Sequence, residues 1–533
     1  MNRGVALGGA VVAVVAVGLI ATAVTLRAPP PPPPPQPAAA ALPAPNARPN
    51  VLVVVWDTVR ADRLSLYGHH RPTTPWLRAF AEEAAVFEQA RSPGMWTLPA
   101  HAALFTGLPP KATGADERWL WLDSWHVTLA EHLSSHGYQT VALAANTLLS
   151  NDTNLMQGFD TVVNTWHGPI RERAAALTRR KLLPRDASNE LAPLYVPPAH
   201  GAKNAEWARA VYKEAGPLLG EGLLRWLDDR AEPDQPWFAY INMMEAHTPR
   251  IPSLESRKAL MDEDLFRLGL ATDASHISLH FYNFDKQEYS PAELEAMRAV
   301  YDAALLDLDG ATERLMAGLA ERGVLDDTIV VITADHGENL GDHHLFNHRF
   351  ALWDSLLHVP LVVRHPATVP AGRVSPPVST IDLFGTVEAL TGVPAAPGER
   401  ASWFDKPSDV VATMALPLER EIRSVQAVHP DVEIEQWMRS GHALVHGSDK
   451  WIRWASGATE RYDLGVDPDE TSNLAGASPA VDASLDGRLE AWRAASPAYT
   501  PERRGPEDDP KSVRASQEDL RRQLEALGYI QPD

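Results

Sequence analysis

The sequence predicts an α/β protein built on a large mixed, mostly parallel sheet flanked by helices. Three observations carry that prediction. Residues 50–56 form an uninterrupted apolar run that ends in Asp57. Residues 328–332 form a second such run, ending in Thr333-Ala334-Asp335-His336. A long helical pattern lies between residues 290 and 322, joining an apolar run at 237–243 to the run at 328–332. Unbroken apolar runs suit strands covered on both faces, and a helix between two of them is a crossover between parallel strands.

The elements follow in order. Residues 4–26 are uncharged, rich in Ala and Val, and flanked by Arg3 and Arg27. Such a stretch spans the ~30 Å hydrocarbon core as a helix. Signal-peptide cores run about 7–15 residues, so residues 1–27 read as an uncleaved membrane anchor rather than a removed leader. Ala21-Thr22-Ala23 would be the cleavage site in the other case. The remainder is then exported, to the periplasmic or extracellular side. Residues 28–48 are Pro/Ala-rich, with unbroken proline from 29 to 35. They form an extended spacer at about 3.1 Å per proline.

Asp57 follows the first strand, and Thr73-Thr74-Pro75 then opens an amphipathic helix with Leu77, Phe80, Ala84 and Phe87 on one face. Pro99 and Gly107 bracket a further helix, which places Thr97 at its amino terminus. A hydroxyl there is either a plain cap or a nucleophile assisted by free N–H groups and the helix dipole. Residues 171–218 read as an insertion, and residues 253–288 show no clear pattern. Residues 237–243 form a buried strand followed by His247. Ser290-Pro291-Ala292-Glu293 is a capping-box start, and Gly323 a stop. Beyond residue 396 short runs at 442–445, 450–454 and 461–464 suggest a small antiparallel sheet. Residues 501–511 read as a charged linker and 517–527 as a short helix.

Composition excludes several classes. With 533 residues and a net charge of −21, the chain carries no basic excess for nucleic acid. It has no cysteine, so disulfides, thiolate metal sites and cysteine nucleophiles are all absent. Four of its 20 histidines, His336, His343, His344 and His348, fall within thirteen residues directly after a strand. Asp57, Asp335 and His336, all at strand ends, suit a divalent ion such as Mn, Zn, Mg or Ca.

The chain also carries an ordered series of motifs: strand-Asp57, Arg60-Ala61-Asp62, Tyr67-Gly68, Pro72-Thr73-Thr74-Pro75 and Pro99 through Gly107. Thr128 to Glu131, His136 to Thr140, Gly158-Phe159-Asp160 and Asp335-His336-Gly337-Glu338 with Gly341-Asp342-His343 follow. Together they resemble the sulfatase family of the alkaline phosphatase superfamily, over roughly residues 49–480. The resemblance implies a catalytic domain at 49–395, a carboxyl-terminal subdomain at 396–500 and a tail at 501–533. It implies an anionic ester substrate, a metal bound by Asp57, Asp335, His336 and the Thr97 nucleophile, and anion or leaving-group roles for His101, His247 and His348. Thr58 is a weaker metal ligand in this scheme.

Three residues depart from the family pattern. Sulfatases proper carry Cys or Ser at the Thr97 position, oxidised to formylglycine; threonine cannot give that aldehyde, so no formylglycine is expected. His101 stands where the sulfatase motif has Arg, and Thr58 where it has a second Asp. The threonine at position 97 favours phosphate over sulfate ester cleavage, with transfer to an acceptor a lesser option for a chain with one membrane helix. The alternative is a catalytically degenerate domain that binds an anionic envelope glycan. The sequence leaves the oligomeric state open.

Overall fold

The computed structural model describes residues 48–182, 214–398, 400–405, 409–417, 419–435, 437–518, 520 and 524. The expected anchor and nearly all of the proline-rich spacer lie outside them. Among the described residues no helix is long and apolar enough to cross a membrane.

Eight strands form the main sheet: β1 (Asn50–Trp56), β2 (Ala85–Phe87), β3 (Gln139–Ala144), β4 (Thr161–Asn164), β5 (Trp237–Met243), β6 (Thr328–Thr333), β7 (Leu361–Arg364) and β8 (Gly372–Val374). Their order across the sheet is β8-β2-β7-β6-β1-β5-β3-β4. β6, β1, β5 and β3 are neighbours and run parallel, so their carboxyl ends meet at one edge. Only β7 runs against its neighbours β2 and β6. The central strands are buried on both faces, as their apolar runs predict.

The helices include α1 (Pro75–Phe80), α2 (Thr97–Thr106), α3 (Leu129–Ser135) and α4 (Pro291–Glu321). α2 ends as expected at Gly107, in the left-handed conformation. α3 opens on a Thr128–Glu131 capping box. α4 opens on the Ser290–Glu293 box, runs through Gly310, and is followed by Gly323 at φ 68°. It crosses from the β5 side to β6, as the sequence predicts.

α1 is shorter than its apolar spacing predicts. It stops at Phe80, a 3₁₀ turn follows, and Ala84 and Phe87 leave the helix. The chain there is drawn into the sheet, because Ala85 and Val86 pair with β7 on one side and β8 on the other. No side chain of its own caps α1. Asp309, deep in α4, does so instead, accepting from the Trp76 and Leu77 N–H groups at 2.8 and 2.9 Å. Burial pushes the Asp309 carboxyl up to about 7. Asp309→Ala is expected to destabilise the protein by about 1–2 kcal/mol, the usual worth of a helix cap. Chemical denaturation checks this, and an unchanged midpoint would contradict it.

The second sheet has four antiparallel strands, β9 (Val410–Met414), β10 (Gly441–His446), β11 (Asp449–Trp454) and β12 (Thr459–Asp463), in sequence order. The sequence pattern shows the last three; β9 escapes it. Residues 253–288 hold three short helices, Leu254–Leu260, Glu263–Ala271 and His276–Asn283. The segment expected to be a charged linker is docked rather than free. Asp508 is buried and accepts from the Trp121 indole and the Ser124 N–H. Most of the expected helix at 517–527 lies outside the described residues.

Candidate active site

Each of the four adjacent parallel strands delivers polar groups at or just beyond its carboxyl end. β1 delivers Asp57, β6 delivers Asp335 and His336, β5 delivers Asn242 and His247, and β3 delivers Asn146. This is the edge where open α/β sheets bind ligands. Asp57, Asp335 and His336 each bring a ligand atom to within 4.8 Å of the others, and all three are buried.

Hydrogen bonds fix how these groups face. Asp335 Oδ1 accepts from the Thr58 and His336 N–H groups at 3.2 and 2.9 Å. Asp57 Oδ2 accepts from Asn146 Nδ2 at 2.8 Å and Asn242 Nδ2 at 3.2 Å. The other oxygens, Asp57 Oδ1 and Asp335 Oδ2, are buried with no hydrogen-bond partner. A buried carboxylate oxygen left unpaired is costly, and buried charges are ordinarily paired or bound to metals. His336 Nδ1–H donates to the Gly337 carbonyl at 2.9 Å, which leaves the Nε2 lone pair facing the carboxylates. The donor set and its two unpaired oxygens therefore fit a divalent cation.

The electrostatics agree. Burial, and the Asp335 charge beside it, push Asp57 up to about 7. Burial pushes Asp335 up to about 7 and holds His336 below its ordinary value. Two carboxylates placed this close resist joint ionisation until a cation joins them.

Thr97 is the first residue of α2 and is fully buried. It is not the cap: Trp96 occupies that position, and no side chain caps this helix end. Thr97 Oγ1 lies 3.5 Å from His336 Nε2 and accepts from Asn146 Nδ2 at 3.3 Å. The hydroxyl thus sits beside the ligand set, at an amino terminus that favours an anion.

His348 lies beside His336, and His247 beside His348. The rings of His348 and His336 are 4.5 Å apart, and those of His348 and His247 5.3 Å. His348 Nδ1 is 3.0 Å from Glu338 Oε1, and Arg250 Nη2 donates to Glu338 Oε2 at 2.7 Å. The loop carrying Glu338 is pinned by Gly337 N–H to the Leu356 carbonyl and Glu338 N–H to the Ser355 carbonyl. A Cβ at Gly337 would stand 2.1 Å from the Ser355 carbonyl oxygen, so only glycine fits.

Two expected roles are changed by the geometry. His101 does not present a nitrogen to the anion as expected. Its Nδ1–H donates to the Thr97 carbonyl at 2.8 Å, and its Nε2 accepts from the Tyr240 hydroxyl at 2.6 Å. Both nitrogens are engaged, and burial lowers the ring to about 3, keeping it neutral. Thr58 does not turn its hydroxyl to the ligand set; the hydroxyl donates to the Asp57 carbonyl at 2.6 Å. Thr58 reaches Asp335 through its N–H instead, in a left-handed conformation at φ 61° that a β-branched residue rarely adopts. His343 and His344 do not build a second cluster. They stack on Trp353 and Tyr282 respectively, and the single candidate metal group among the described residues is the Asp57 one.

Sequence reasoning missed Asn146, Asn242 and Arg250. The signal for the two asparagines was present, since a polar residue at the end of a buried strand is what singled out Asp57.

A sulfatase family model matches residues 49–393, more than half of the chain. The chain belongs to the sulfatase family. It is 24% identical to arylsulfatase K of Xenopus laevis over 484 residues, spanning 83% of this chain and 82% of that one. It is 25% identical to the multifunctional alkaline phosphatase superfamily protein PehA of Trinickia caryophylli over 481 residues, spanning 80% of this chain and 91% of the relative. In three dimensions it is similar to the phosphonate monoester hydrolase of Agrobacterium radiobacter. The TM-score is 0.61 at 20% identity, covering 84% of this chain and 96% of the other. That likeness shows a shared fold. Membership makes this sulfatase-family chain a sulfuric or phosphoric ester hydrolase.

Proposed function

We propose that this protein is an exported, membrane-anchored, metal-dependent hydrolase that cleaves phosphate or sulfate esters through Thr97, with phosphorus esters its preferred class. The observation that carries the reading is the position of Thr97 Oγ1, buried at the start of α2 and 3.5 Å from His336 Nε2. Asp57, Asp335 and His336 would hold the divalent ion, whether Mn, Zn, Mg or Ca. Once bound, such an ion supplies Lewis-acid polarisation and acidifies a nearby hydroxyl.

Thr97 Oγ1 attacks phosphorus in line, its proton leaving toward the neighbouring Asp335 carboxylate. The bond to the leaving oxygen breaks, and His348, which burial keeps neutral, gives that oxygen its Nε2 proton as Nδ1 takes one from Glu338, whose carboxyl burial raises. Arg250, paired with Glu338, brings positive character to the same side. Water then attacks the phosphothreonine in line and restores the hydroxyl. A sulfated threonine would need water to attack sulfur directly, because threonine has no second hydroxyl whose collapse expels sulfate. The two unpartnered carboxylate oxygens count against a degenerate glycan-binding domain, which has no use for them.

The test is to incubate the full chain with divalent metal and aryl phosphate, phosphodiester, phosphonate and sulfate esters. Acid quenching during turnover and mass spectrometry then read Thr97. The expected result is faster turnover of a phosphorus ester, with phosphate on Thr97. Faster sulfate turnover with Thr97 unmodified would sink both the nucleophile and the substrate preference.

A further inference from the structure

Asn146 stands two residues beyond β3, fully buried, and its orientation is settled by its neighbours. Its Oδ1 accepts from the Leu148 N–H at 3.0 Å, so Nδ2 must face the site. That nitrogen carries two hydrogens, and two acceptors are within reach: Asp57 Oδ2 at 2.8 Å and Thr97 Oγ1 at 3.3 Å. The Asn146 N–H donates in turn to Asn242 Oδ1 at 3.1 Å, and Asn242 Nδ2 reaches the same Asp57 oxygen at 3.2 Å. Every polar group of the Asn146 side chain is thus committed, with no rotamer freedom left to lose on substrate binding.

We propose that Asn146 is a catalytic positioning group of this hydrolase, bridging the nucleophile to the ligand set; the inference rests on Thr97 being the nucleophile. One N–H turns Asp57 so that Oδ1 faces the cation position. The other N–H occupies a lone pair of Thr97 Oγ1, which directs the hydroxyl proton toward Asp335. As that proton leaves, the same N–H becomes a charge-assisted donor to the forming alkoxide, and such bonds are about twice as strong as neutral ones. The donor is in place before reaction, so no reorganisation is needed when charge develops. Asn146 is also neutral, which keeps a third carboxylate away from Asp57 and Asp335.

Two substitutions in the full chain separate this from a packing role. Asn146→Ala removes both N–H donors and is expected to lower kcat by about 10²-fold, the typical loss for one preorganised donor, with KM within a few-fold. Asn146→Asp keeps the size but replaces the donor with an acceptor. Calorimetric titration with Mn²⁺ should show tighter binding to Asn146→Asp than to wild type, because a third carboxylate joins the site. Its kcat should fall at least as far as that of Asn146→Ala. Opposite movement of Mn²⁺ affinity and kcat is the signature of a bridging donor. A misfolded or merely loosened site would lose both together, and that outcome overturns the proposal. So does a kcat for folded Asn146→Ala within twofold of wild type. Phosphate trapped on Thr97 in wild type, alongside either of those outcomes, would fail this inference and leave the nucleophile reading intact. Absence of Thr97 modification in wild type would fail the nucleophile reading itself.

Discussion

Thr97→Ala is expected to lower kcat toward the preferred phosphorus ester by about 10⁴-fold or more, the scale on which removing a nucleophile acts in hydrolases. Three features of the site lead there. The hydroxyl lies at the amino terminus of a helix that no side chain caps, so backbone N–H groups and the dipole favour an oxyanion. It is within 3.5 Å of a proposed metal ligand. No cysteine exists to serve instead. Thr97→Ser keeps the hydroxyl and should retain turnover, at some loss of stability from the methyl group removed from a buried position. Covalent phosphate should move to residue 97 of the Ser variant and vanish from the Ala variant. Both variants can be compared at equal metal occupancy by titrating the ion first. Turnover in Thr97→Ala within tenfold of wild type would show that water attacks the ester directly and that Thr97 is only part of the helix.

Asp57, Asp335 and His336 were legible because the rule that finds them is local. A long apolar run ending in a carboxylate or imidazole is a buried strand that presents that group at the sheet's edge, whatever lies beside it. The start of α4 was legible for the same reason: Ser290, Pro291 and Glu293 are each recognisable within one turn. The features that escaped depended on distant partners. The spacing of Leu77, Phe80, Ala84 and Phe87 is truly helical, but the chain at its end pairs with strands nearly three hundred positions away. β9 is short, and its partner begins 27 residues later. Asn146 and Asn242 stand at the ends of buried strands as Asp57 does, but the atoms they reach show only once β3 and β5 are set beside β1. His101 illustrates the reverse error. Its position in the motif suggested a group facing substrate, yet the Tyr240 hydroxyl, 139 residues on, takes the nitrogen that would have served. Sequence pattern assigns chemistry to strand ends well; it does not show which neighbour has already claimed a polar atom.

Removing metal should abolish turnover and make stability fall as pH rises from about 4 to about 7. The sign follows from the two carboxyls. In the metal-free fold Asp57 and Asp335 each titrate at about 7, against 3.8 when unperturbed. A raised carboxyl pKa means the fold favours the protonated form. Their contribution is therefore fully present below about pH 4 and is lost as pH rises through about 7. Metal-free protein should show its Tm falling across that window. A bound divalent ion replaces those protons and removes the cost of ionising two adjacent buried acids, so the metal-loaded protein should lack the fall. Each proton displaced adds about tenfold in apparent metal affinity per pH unit, giving up to about 100-fold per unit below pH 7 and a plateau above it. His336 adds little to this slope, because burial already keeps its ring neutral. Asp335→Asn should cut both the slope and the affinity, since one titrating ligand is gone. Thermal melts of chelated and Mn²⁺-loaded protein between pH 4 and 8 test the scheme. A metal-free Tm that rises through this window, or activity that survives complete chelation, would separate the carboxylate pair from catalysis.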